Sequence, residues 1–316
     1  MKRKAIFYLL ILPVLFLVTP AAGFACDSCG CTLSKMCCLK QEDRDKPRFF
    51  DFTVEQQNWH RKGAQAAHNL INEGHDFHDK THEEFYHFML GVNPAERLTV
   101  FVEMPYVVRE AIEVEDADNL GAKQHSEGWG DLNLMAVYKI FVRNEDFLGA
   151  SGGVKFPAGE TREKNFQGER FEVELQPGSG SYDFPLGVVY RHEINPIVLS
   201  GNVSYVIKTK GSQEFQYGDL FFASFNTDTA LNPESRIFQT KVGLAINIQH
   251  EQKQTDHGLK KEDSGETSLF LGPTLTIRAN DTVSVFANVL FPAYQTMGGV
   301  HQKLENIWTV GVKILW

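Results

Sequence analysis

From residue 50 to the carboxyl end, apolar and polar residues alternate with a period of two in segment after segment. Phe50, Phe52 and Val54 are separated by Asp51, Thr53 and Glu55, which puts three apolar side chains on one face of a strand and three polar ones on the other. The same period recurs at 86–92, 98–106, 132–140, 148–156, 182–190, 199–207, 242–248, 269–277, 283–291 and 308–316, and a weaker segment at 218–227 completes twelve predicted strands. Connections between them alternate in length. Short ones carry turn residues: Asn93-Pro94-Ala95-Glu96, Arg143-Asn144-Glu145-Asp146, Ile194-Asn195-Pro196 and Ala279-Asn280-Asp281. Long polar ones fall at about 60–81, 110–129, 157–180, 209–217, 250–266 and 292–306, and 228–235 is of middling length.

An even number of antiparallel strands, with short turns at one end and long loops at the other, predicts an all-β fold: an outer-membrane antiparallel β-barrel of about 12 strands. Short turns and both termini are then periplasmic, and the long loops extracellular. A soluble β-sandwich would share the alternation but has no reason to keep every second loop long, and its outward face should be the polar one. The chain ends on Trp316, preceded at alternate positions by Ile314, Val312, Val310 and Trp308. That pattern is similar to the terminal strand signal of bacterial outer-membrane proteins, and it makes the barrel-assembly machinery an expected partner beside outer-membrane lipid and a small-molecule solute.

Composition narrows the class further. Twenty-four Phe and 26 Gly against 12 Pro favour β structure over a helix bundle, and a net charge of −9 excludes a general nucleic-acid binder. Lys2, Arg3 and Lys4 precede an apolar run over 5–18 and the small residues 21–25, the pattern of a signal peptide cleaved after Ala25. The expected organisation is a signal peptide (1–25), a Cys-rich periplasmic lead (26–47) and a transmembrane β-barrel (48–316). Cys26, Cys29, Cys31, Cys37 and Cys38 all lie in the lead. No cofactor is expected unless these thiols converge on a soft metal ion, Cu(I) or Zn(II); disulfides, and lipidation of Cys26, are the alternatives. His75, His78 and His82 in the first long loop form a second candidate metal set, with His78 and His82 on one face of a helical turn, against a plain solvated loop. No Gly-x-Ser-x-Gly elbow occurs, and the chain reads as a non-enzyme.

Three further pieces carry a resemblance: Gly128-Trp129-Gly130-Asp131 opening a strand, Gly153-Val154-Lys155-Phe156-Pro157-Ala158-Gly159-Glu160-Thr161 at a strand exit, and Gly178-Ser179-Gly180-Ser181-Tyr182-Asp183 at re-entry. Leu271-Gly272-Pro273 fits less specifically. Over roughly 85–316 the chain resembles the outer-membrane channel or transporter family associated with meta-pathway phenol degradation. The resemblance implies passage of hydrophobic compounds. The alternation itself assigns a lumen face bearing Asp51, Glu55, Glu103 and Asp183, with Lys139, Lys155, Arg191, Lys208, Lys241, Arg278 and Lys313 mostly on later strands. Acids on one wall and bases on the other would give a transverse field. Phe85, Met89, Phe101, Met135, Phe270, Phe286 and Leu290 share that face, so a lumen filled by side chains and a path for apolar solutes are both open readings. The functional expectation is a channel or transporter passing small hydrophobic or amphipathic solutes without chemical conversion. The alternative is metal capture by the His-rich loop and relay to the cysteines.

Overall fold

The computed structural model describes residues 50–62, 78–114, 120–144, 146–235, 238–297 and 302–315. The expected signal peptide, the Cys-rich lead, His75 and Trp316 lie outside these residues. Twelve strands form the wall: β1 (Phe50–Lys62), β2 (His78–Ala95), β3 (Leu98–Val114), β4 in two halves (Leu120–Trp129 and Leu132–Arg143), β5 (Asp146–Phe156), β6 (Phe184–Ile194), β7 (Ile197–Ile207), β8 (Leu220–Ala230), β9 (Gln239–Glu251), β10 (Glu266–Arg278), β11 (Val283–Met297) and β12 (Lys303–Leu315). Each pairs antiparallel with the next, and β1 pairs with both β2 and β12, so the sheet closes on itself. Closure removes the exposed edges that an open sheet would leave.

The outward face is the apolar one. Leu90, Val102, Leu134, Leu186, Val188, Val203, Leu244, Leu275 and Val312 are all exposed on it. Aromatic residues bracket this band: Trp129, Tyr182, Tyr205 and Tyr294 toward the long-loop end, Tyr138 and Tyr190 toward the turn end. Trp129 is packed edge-on against Tyr106 at 5.4 Å and tilted against Phe88 at 5.7 Å. From Trp129 to Tyr138 the chain climbs about 30 Å along a tilted strand, or roughly 23 Å along the barrel axis, which matches the hydrocarbon band of an outer membrane. A water-facing sheet would not expose this belt. No helix among the described residues is long and apolar enough to cross a membrane.

The structure shortens several expected loops. Strand β3 continues to Val114 and the first half of β4 pairs with it, so most of 110–129 is hairpin rather than loop. Likewise β2 begins at His78, and its pairing with β1 runs to Lys62↔Lys80. A bulge in β11 sets Leu269 opposite Tyr294 and Phe270 opposite Pro292, so Phe291 and Tyr294, three apart, both face outward. That change of phase is why the sequence pattern stops at 291 while the strand continues to Met297. The first half of β4 has β3 on one side only. On its other side lies the chain after β5, whose Glu160 N–H donates to the Trp129 carbonyl at 2.8 Å.

Candidate functional site

The long connection from β5 to β6 folds into the barrel. Phe171, Val173, Leu175 and Gln176 are buried, with Phe171 and Leu175 packed on Ala111 of β3. Val173 packs with Phe215 and Tyr217 of the next loop. The segment holds its own shape through Gln176, whose side-chain amide donates to the Phe171 carbonyl (2.9 Å) and the Glu163 carbonyl (3.1 Å) and accepts from the Glu163 N–H (2.9 Å). The wall then grips it. Arg109 donates to the Gln176 carbonyl, and the Ser126 hydroxyl donates to the Leu175 carbonyl at 2.5 Å. Beyond it, Phe215–Gln216 pairs with Thr255–Asp256, and that pair with Leu259–Lys260, tying two loops into one cap, which the inserted loop joins through Val173.

At the neck of this loop the three glycine-rich pieces converge. An added Cβ at Gly159 would lie 2.7 Å from Gly130 C and 2.8 Å from Gly178 Cα, so three backbones meet where no side chain fits. Against them lies a buried ionic cluster. Lys155 Nζ is 2.7 Å from Asp183 Oδ2 and 3.2 Å from Asp131 Oδ2, and Lys208 Nζ is 3.2 Å from Asp183 Oδ2. Asp131 also accepts from the Ser179 hydroxyl (2.6 Å), the Ser179 N–H (2.9 Å) and the Gly159 N–H (3.1 Å). Ser181 donates to Asp183 Oδ1 at 2.9 Å, and Lys155 donates to the Ser179 hydroxyl at 2.6 Å. Two bases and two acids thus neutralise one another, and neutral donors supply the remaining hydrogen bonds. That is the condition under which buried charges are tolerated.

A second polar group lies on the inner faces of β2, β3 and β4. Arg109 pairs with Glu83 at 2.8 Å and lies over the Phe85 ring at 5.7 Å, and His87 Nδ1 is 2.6 Å from Glu103, which also accepts from Asn133 at 3.2 Å. Apolar groups fill the space between. Met89, Phe101, Met135, Val137, Phe147 and Val189 form one buried cluster with Val206, Leu220 and Phe222; Phe270, Leu290, Leu304 and Ile307 form another with Ala245.

Of the residues that alternation assigned to the lumen, Glu103, Asp183, Lys139, Lys155, Arg191, Lys208, Phe101 and Phe270 are buried inside the wall. Lys241, Arg278 and Phe286 occupy inward-facing positions and are partly buried. Asp51 and Glu55 take their register opposite Leu315 and Gly311 of β12, and their side chains lie outside the described residues. The transverse field is corrected. Asp183 is held between Lys155 and Lys208, so acid and base are interleaved on one wall. Along the axis, Lys139, Arg191, Lys241, Arg278 and Lys313 stand toward the turn end, while Glu83, Asp131 and Asp183 toward the loop end are matched there by Arg109, Lys155 and Lys208. The metal readings gain nothing. The five cysteines and His75 are not among the described residues, nor is the side chain of His78, and β2 continues through His78 and His82 as strand in place of a helical turn. His82 bonds Glu84 at 3.1 Å in the row of Gln56 and Tyr86, and among the described residues no group of three His, Cys, Asp or Glu side chains is placed to hold a metal ion. Sequence reasoning held Asp131, Ser179 and Ser181 only within the glycine-rich pieces, without a role, and missed Gln176 and Arg109. The available signal was Phe171-x-Val173-x-Leu175 inside a loop otherwise polar.

Known structures share this architecture. An outer membrane channel from Pseudomonas putida F1 superposes with a TM-score of 0.56 at 14% identity, over 84% of this chain and 95% of that one. The beta domain of the Bordetella autotransporter BrkA gives 0.50 at 8% identity, over 84% and 99%. A search of curated proteins finds no match. The model of the family described as "Putative MetA-pathway of phenol degradation" matches residues 89–296, a span that contains all three converging glycine-rich pieces, and the chain belongs to that family.

Proposed function

We propose that the protein is an outer-membrane channel or transporter that passes small hydrophobic or amphipathic molecules without chemical conversion. The observation that carries this is the loop over 157–183 latched inside the barrel on Ala111, Phe215 and Tyr217, in a lumen that also holds the apolar cluster of Met89, Phe101 and Met135. A general aqueous porin needs an open polar bore. Here the bore is narrowed by a fixed segment and lined by Met, Phe, Val and Leu alongside paired charges. The described titratable groups of the lumen are engaged mainly in pairing and packing, and the family's structural relative is an outer membrane channel, so a non-enzymatic role is the consistent one. In this reading the signal peptide and the lead precede the barrel, the short turns and both termini face the periplasm, and the terminal strand is read by the barrel-assembly machinery.

Liposome swelling with the refolded full chain tests it. N-acetylphenylalaninamide, a neutral amphipathic solute that crosses lipid slowly, should enter faster than a smaller pentose. Faster entry of the pentose, with large unselective ion conductance, would mark a general porin and overturn the proposal.

A further inference from the structure

We infer that Arg191, with Lys139, forms an anion subsite at the turn end of the apolar lumen, and that the channel's preferred solutes are amphipathic organic anions with an apolar body and a carboxylate. This rests on the channel reading above and names the substrate class within it.

Arg191 is nine-tenths buried on the inner face of β6, yet its Nε has no hydrogen-bond partner. Its ionic neighbour among the described residues is the exposed Glu193, 3.9 Å from Nη2, a distance at which solvent screens the pair and leaves Nε unmet. A buried guanidinium with so weak an ion pair is costly, and an anion is the partner that best repays it, since its planar fork matches a carboxylate. Lys139 approaches from β4. The register runs Lys139↔Gly149↔Val189 and Phe147↔Arg191, so the two bases flank β5 on the same inner face with Phe147 and Gly149 between them. Gly149 carries no side chain, and Val189 and Val137 close over it, 3.0 and 3.3 Å from where a Cβ would stand. Lys139 Nζ lies 5.9 Å from the centre of the Phe147 ring.

Directly toward the loop end, Met89, Phe101, Met135, Val137 and Val189 form the apolar cluster, and Met135 packs its sulfur over Gly153. Methionine yields more readily than branched side chains, so this packing can open for a solute. An apolar body among these groups puts its carboxylate at Arg191 and Lys139. Neutral solutes gain only the apolar half of this arrangement. Sugars gain neither.

The test is the same liposome assay with two matched probes, the potassium salt of N-acetylphenylalanine and the neutral N-acetylphenylalaninamide, with valinomycin to carry the counter-ion. The wild-type chain should admit the anion about five-fold faster or more, as one charge-assisted contact predicts. Arg191→Gln and Lys139→Gln should each remove most of that preference, read as the ratio of anion to amide entry within the same variant, and Arg191→Lys should keep part of it; heat-modifiable migration on gels confirms that each variant is a folded barrel. If the amide enters and the anion is no faster, or if Arg191→Gln keeps the preference, the subsite is overturned and the channel reading stands. If neither probe outpaces a pentose, the channel reading falls and the subsite with it.

Discussion

Lys155 and Asp183 close the neck of the inserted loop twice over. Their backbones exchange N–H···O bonds of 2.8 and 3.2 Å in an isolated bridge, and their side chains form an ion pair at 2.7 Å. A residue that ends β5 and one that precedes β6 therefore share backbone and charge. The segment between them enters the lumen from this point, with Phe171, Val173, Leu175 and Gln176 buried and Phe166 and Tyr182 left exposed.

Replacing Lys155 by Met should destabilise the barrel by about 3–5 kcal/mol, the usual cost of stranding a buried partner of opposite charge. Both Asp131 and Asp183 lose a contact, and only Asp183 keeps another base, Lys208. Urea unfolding of the detergent-solubilised protein, followed by tryptophan fluorescence, measures this. An unchanged midpoint would mean that the cluster is not a stabilising latch.

The glycines at the neck make a separate claim. Gly178→Ala places a Cβ 2.7 Å from Gly159 C, against backbone that cannot rotate away, so the two ends of the loop must back off from one another. Gly168→Ala, at the tip, meets nothing within 4 Å and pays only for its positive φ, about 1–2 kcal/mol of local strain. Limited proteolysis should therefore cut the 157–183 segment faster in Gly178→Ala than in Gly168→Ala. Equal rates would contradict a packing role for the neck.

How much of this was legible in the sequence follows from which solvent each face meets. Alternation such as Leu132, Leu134, Ala136 is visible because lipid demands apolar residues on one side and the lumen admits polar ones on the other. Above Trp129 the outer face leaves the aromatic belt, and outward positions become Glu110, Lys123 and His125, which pair with one another across β3 and β4. The contrast between faces disappears there, and a paired hairpin reads as a polar loop. The lumen residues were legible by parity, but their partners were not, since Asp131 to Ser179 and Lys208 to Asp183 are contacts between distant segments. A transverse field was the wrong inference for that reason: strand parity gives each charge a face and does not give it a neighbour.

Membrane residence makes a prediction that position alone decides. Leu186 and Leu259 are both exposed, at 56% and 75%, but Leu186 lies within the apolar belt of β6 and Leu259 in the extramembrane cap. Leu186→Arg should weaken folding into vesicles by about 2–4 kcal/mol, the depth-dependent cost of a base on a lipid-facing strand. Leu259→Arg should change it by no more than about 0.5 kcal/mol, as for an ordinary surface site. Similar effects at the two positions would place the belt in water and remove the barrel from the membrane.

Whether the inserted loop limits passage is decided at Phe171 and Leu175. These side chains seat it on Ala111 of β3, and they do so without touching the ionic neck. Truncating both to alanine removes two large apolar contacts, each worth about 2–5 kcal/mol when fully buried, while Asp131, Lys155 and Asp183 keep their bonds. The loop should then stay tethered at its ends and swing free in its middle. Expected outcomes are a folded, heat-modifiable barrel, faster cleavage within 161–176, and single-channel conductance raised several-fold in planar bilayers. Conductance equal to that of the wild type, with cleavage increased, would show that the segment decorates the lumen without restricting it.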